Sequence, residues 1–200
     1  MNYNWLKNNQ ERAQALDDII SCLNMYRLSL DEIQLLKTTL VYNEEIISAA
    51  LLLSKIRKVS LIVWKDDLND KYTYLHILLN FSKMTLHPSF KITKIEDNYL
   101  NVEESNNFLF SFISDSKFYK INLKKNLYTD YDFLKPIVDV INNSPYNGHF
   151  YLVSNDYLED GFQFVYLEED EYKKISEKNI FELYKLSHNL ISGLNIWNEK

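Results

Sequence analysis

A single cysteine, three glycines, three prolines and no long apolar run set the first limits on this chain of 200 residues. Cys22 alone makes no internal disulfide and no thiolate zinc cluster, which fits a reducing compartment. Its apolar helical context, DDIISCLNMY, marks a buried thiol rather than a nucleophile. Three isolated glycines cannot build G-x-G-x-x-G or a P-loop, so a glycine cradle for phosphate is excluded. The longest apolar stretch, Ile46 to Leu53 broken only by Ser48, is too short to cross a bilayer, and MNYNWLKNNQERAQ lacks the order of a signal peptide. His76, His87, His149 and His188 form no H-x-x-H or H-E-x-x-H pair. The expectation is a cytoplasmic protein with no cofactor, no metal, no catalytic residues and no membrane association.

What is present is ordinary for a globular chain: 46% hydrophobic and 25% charged residues, with 15 Tyr and 11 Phe feeding an aromatic core and surface. A chain of this length buries about 70% of its extended surface. Residues 4–27 carry apolar side chains (Trp5, Leu6, Ala13, Leu16, Ile20, Leu23, Tyr26) at helical steps, and Ser29 with Glu32 forms a capping box ahead of Ile33, Leu35, Leu36 and Leu40. Asn43 is positioned to cap a third helix over 46–56 that is apolar almost all round. The β-branched KVSLIVW at 58–64 suggests a strand but continues a helical segment with no Gly or Pro between, so both strand and helix stay open there, and Asp66 to Asp70 reads as the start of a helix carrying Tyr74, Leu78 and Phe81. Pro88 disfavours helical geometry at His87 and marks a boundary near 85–89.

Beyond it, period-two alternation predicts strands over 90–95, 108–113 and 118–123, the last with Tyr119, Ile121 and Leu123 facing in, and Ser114 to Lys117 as the turn between two of them. A helix over 132–143 has its start pushed later by Pro136, and Ile180, Leu183, Tyr184, Leu186 and Leu190 predict a final helix. The fold class is therefore α+β: a helical N-terminal half packed on a mixed, mainly antiparallel sheet with helices in the C-terminal half. One compact domain spans 1–200, with 1–85 mainly helical and 88–200 mixed.

Two motifs hint at chemistry. Asp66, Asp67 and Asp70 have the D-D-x-x-D spacing that sets carboxylates on one helix face to hold Mg²⁺ and a diphosphate, and these five residues resemble the aspartate-rich motif of isoprenoid synthases. No second metal motif accompanies them, and Asp at a helix start serves capping equally well. Lys91, Lys94, Lys117, Lys120, Lys124 and Lys125 lie among aromatic residues, but lysines on outer strand faces keep sheet edges soluble, and the net charge of −6 opposes direct nucleic-acid binding.

The densest signal is HFYLVSNDYLEDGFQFVYLEEDEY, His149 to Tyr172. Alternation over 150–153 and 162–167 predicts a hairpin closed near Asp160-Gly161, and the run Glu168-Glu169-Asp170-Glu171 opens a helix. Carboxylates in a first turn are favoured by the macrodipole, each by roughly 0.3 to 1 kcal/mol. From Asp130 to Glu171, however, ten carboxylates face one lysine, a net −9, whereas residues 1–125 carry +1. A field of that kind bears on association. The candidate partner-binding residues are Tyr151, Asp156, Tyr157, Glu159, Asp160, Glu168, Glu169, Asp170, Glu171 and Tyr172.

A cysteine-poor chain with this Tyr-rich acidic stretch resembles the immunity proteins by which bacteria neutralise toxins. The likeness is one of character, and it implies a protein partner, a basic toxin or nuclease domain, bound at its active site or another surface. The competing classes are an enzyme whose site is assembled from scattered residues and a structural or adaptor protein that self-associates through its helical half.

Overall fold

The computed structural model describes residues 5–64, 73–85, 92–103, 106–114, 116–125, 129–142, 147–154, 158 and 160–198. Helix α1 (Asn9–Cys22) starts where Asn8 accepts a hydrogen bond from the Glu11 amide and stops where Leu23 turns extended. It is shorter than the 4–27 stripe, so Tyr26 lies beyond it. The capping box of Ser29 and Glu32 forms and opens α2 (Leu30–Leu40). Helix α3 (Ala49–Ser54) is capped by Ser48, not by Asn43, whose side chain instead accepts from the Glu45 amide in the preceding turn. Ile46 and Ile56 are buried all the same, just outside that short helix.

The ambiguous segment is a strand, β1 (Ser60–Trp64), followed by α4 (Tyr74–Met84) with Thr73 at its N-cap. The aspartates at 66, 67 and 70 and the boundary at His87 and Pro88 lie outside the described residues. Strands β2 (Ile92–Asp97), β3 (Asn107–Ser114) and β4 (Lys117–Lys124) form an antiparallel sheet in that order. Ser114 pairs with Lys117 across the turn read from the sequence, where Ser116 takes a positive φ of 63°. A 3₁₀ turn at Tyr131–Phe133 leads into α5 (Leu134–Asn142), which keeps Pro136 in its first turn, where a missing amide costs no helical hydrogen bond.

The predicted hairpin is β5 (Gly148–Val153) with β6 (Gly161–Glu168), and β6 runs directly into α6 (Glu169–Lys178). One expectation fails here. Leu183–Lys185 is not helical but a short strand, β7, paired antiparallel with β5, and only α7 (His188–Asn198) follows. Asn179 explains the break: it adopts a left-handed cap, φ 50° and ψ 50°, that ends α6 and sends the chain back to the sheet edge.

Strands β1, β6, β5 and β7 make a second, wholly antiparallel sheet in that order, and this sheet organises the molecule. Alternate residues feed two cores. Val63, Phe150, Phe164 and Tyr166 face α4, α5, α7 and the inner side of the three-stranded sheet, where Phe110, Phe112 and Phe133 are fully buried. Tyr151, Val153, Val165 and Leu167 face α1, α3 and α6. The apolar character of β6 at both parities is thus that of a strand covered on both faces. The fold is α+β, as the patterning implies. Among the described residues no helix is long and apolar enough to cross a membrane.

Candidate protein-binding face

The acidic turn Glu168 to Glu171 divides by burial. Glu171, third residue of α6, is fully buried, and its two carboxylate oxygens take four donors: the amides of Asn24 (2.8 Å) and Glu168 (2.9 Å) and Nε (3.0 Å) and Nη2 (2.7 Å) of Arg27. Arg27 is buried too, donating also to the carbonyls of Met84 (2.8 Å) and Tyr166 (3.4 Å), with its guanidinium 5.4 Å from the Tyr166 ring. A buried bidentate pair whose guanidinium also donates to two carbonyls fixes geometry. This one ties the segment after α1 to the start of α6, the end of α4 and β6.

What the pair holds in place is exposed. Met25 is 97% and Tyr26 60% accessible in the segment between α1 and α2, and Leu30, the first residue of α2, is 84% accessible. The Tyr26 hydroxyl donates to the Glu168 carboxylate, and burial together with that bond pushes its pKa up to about 12. The Asn24 side-chain Nδ2 donates to Glu168 (3.0 Å) and Asp170 (3.3 Å), and Asp170 also pairs with Lys174 at 3.1 Å. Partial burial opposes ionisation of Asp170, yet the hydrogen bonds from Lys174 and Asn24 hold its carboxyl below the ordinary value. Glu169 is exposed at the helix start. Tyr172 is half-buried and stacks on Tyr151 with centroids 4.7 Å apart and planes 7° apart.

The sequence-derived residues therefore do not form one patch. Glu168, Glu169, Asp170 and Tyr172 come together at the α6 start. Glu171 and Tyr151 are interior residues, the latter only 4% exposed, and both are withdrawn from any contact surface. Asp160 is exposed but stands at the opposite end of β6, about 27 Å from Glu168 for eight residues of strand. Asp156, Tyr157 and Glu159 lie outside the described residues. The remaining acids of the −9 segment sit on the other side of the sheet with local partners: Asp130 with the amides of Lys124 and Asp132, Asp132 with Lys135, and Asp139 with His188. Charge summed along the chain is not charge summed over a face.

Apolar helical spacing continues through Tyr26 in the sequence, and it hides the exposed Met25, Tyr26 and Leu30. The Ser29 cap held the signal, since a cap so close after Tyr26 leaves little room for helix between them. Burial raises the pKa of the Cys22 thiol, which disfavours the nucleophilic thiolate. Among the described residues no group of three or more His, Cys, Asp or Glu side chains is arranged to hold a metal. Comparison of the chain with protein families, curated proteins and solved structures yields no match.

Proposed function

We propose that this chain is a cytoplasmic binding protein that engages a basic protein partner through the face built by Met25, Tyr26, Leu30, Glu168, Glu169, Asp170 and Tyr172. Neutralising a toxin domain, as immunity proteins do, is the biological form of that activity. One observation carries the reading: a buried ion pair anchors the segment whose exposed Met25 and Tyr26 stand beside the carboxylates of Glu168 and Asp170. Exposed apolar centres with a charged rim are the anatomy of contact surfaces, in which aromatic anchors set the dissociation rate and rim charges set association. A preordered segment also binds without the entropic cost of ordering it on contact.

Variant kinetics test the proposal. With the partner recovered from the natural host, Met25→Ala and Tyr26→Ala should speed dissociation, and Glu169→Gln with Asp170→Asn should slow association and flatten its salt dependence. Binding unchanged across all four, in proteins that melt like the wild type, refutes the proposed face.

A further inference from the structure

The sheet edge formed by β1 carries a second feature, independent of the acidic face. Between the end of α3, the outer edge of β1 and the last turns of α4 lies a cleft of about 820 Å³ lined by Lys55, Arg57, Lys58, Lys83, Asn80 and Trp64. Among the described residues four cations and no carboxylate line it, in a protein whose net charge is −6. Lys58 is paired with Glu32 at 2.5 Å, whereas Lys55, Arg57 and Lys83 are exposed and make no ion pair among the described residues. Lys55 and Lys83 also complement the carbonyl ends of α3 and α4. Arg57 serves neither helix, and its planar fork is the group best shaped for a phosphate.

Trp64 supplies the second element. It pairs with Gly161 across the sheet, and a Cβ at Gly161 would come within 2.9 Å of its ring, so the glycine lets the indole lie close against the strand. Trp64 is 39% exposed and lines the cleft. The volume lies within the roughly 300–1,000 Å³ of sites that enclose small ligands.

We propose that this cleft binds a mononucleotide-type ligand, its phosphates held by Arg57, Lys55 and Lys83 and its flat ring against Trp64. Polyanion attraction and aromatic stacking are the two interactions such a ligand offers. Calorimetric titration of the full chain at about 0.15 M salt with ADP, tripolyphosphate and adenosine tests it. ADP should bind tightest and tripolyphosphate should compete with it. Arg57→Glu with Lys83→Glu should weaken both anions about tenfold or more, and the milder Arg57→Gln should weaken them in the same direction. Trp64→Leu should weaken ADP and leave tripolyphosphate unchanged. Met25→Ala should alter none of these, which separates this site from the protein-binding face. Absence of heat with both anions overturns the proposal, as does ADP affinity unaltered in the folded double variant. Preferential binding of an oligonucleotide or an acidic peptide over ADP overturns it too.

Discussion

Glu171 shows how one position changes meaning between chain and fold. In the sequence it is the fourth member of an acidic run; in the molecule it is the internal counterion of Arg27, 144 residues away. Nothing local announces such a partner, whereas Glu169, two residues earlier on the same helix, remains the surface carboxylate that the run implies. Truncating one member of a buried pair strands the other charge, so Arg27→Met or Glu171→Gln should cost about 3–5 kcal/mol in urea denaturation. Glu169→Gln should cost less than about 1 kcal/mol. Equal small effects would mean that the pair does not anchor the segment. His149 makes a second residue-scale prediction. Burial, with a smaller contribution from Lys185, lowers its pKa below the ordinary value of 6.5. The unfolded chain then accepts a proton near that pH which the folded chain resists, so stability is full above about 6.5 and falls as pH drops below it. The melting temperature of His149→Gln should therefore gain on the wild type in acid. A constant difference across that window contradicts the assignment.

At the scale of elements, caps and alternation were legible and terminations less so. Ser29 with Glu32 identified α2, and the parity of Tyr119, Ile121 and Leu123 identified the inner face of β4. The long helices read over 4–27 and 46–56 shrank because apolar spacing continues into turns, where Leu23 and Ile46 are buried without being helical. β7 was hidden for a related reason: three residues at a sheet edge carry too little pattern to oppose a helical reading that ran through them. Helix α2 buries only Leu40, while Leu30 and Leu35 are exposed. Such weak anchoring places its opening free energy well below that of β6, which is covered on both faces. Hydrogen exchange should show α2 amides exchanging far sooner than those of β6. Comparable protection in the free protein would mean that α2 is held by more than its packing here.

At the scale of the whole molecule, the two cores share one sheet, because Phe164 and Val165 are neighbours in β6 yet point to opposite sides. Residues from before and after the 85–89 boundary meet in the first core, as Tyr74 against Phe110 and Phe133 shows. Phe164→Ala and Val165→Ala should each lower one common unfolding transition, followed by fluorescence and circular dichroism together; two separated transitions would mean that the halves unfold independently. The surface was the least legible level, since the −9 segment is distributed by the fold over both sides of the sheet and both ends of β6. What survives as a face is the apolar group at Met25, Tyr26 and Leu30 with its carboxylate rim. Site-specific photocrosslinking in the natural host tests that face most directly, with the reactive group placed at Met25, at Leu30 and, as a control on the far sheet edge, at Tyr184, which is half exposed. The expected result is one basic protein crosslinked from Met25 and Leu30 and not from Tyr184; no crosslink from the first two, or the same products from all three, would contradict it.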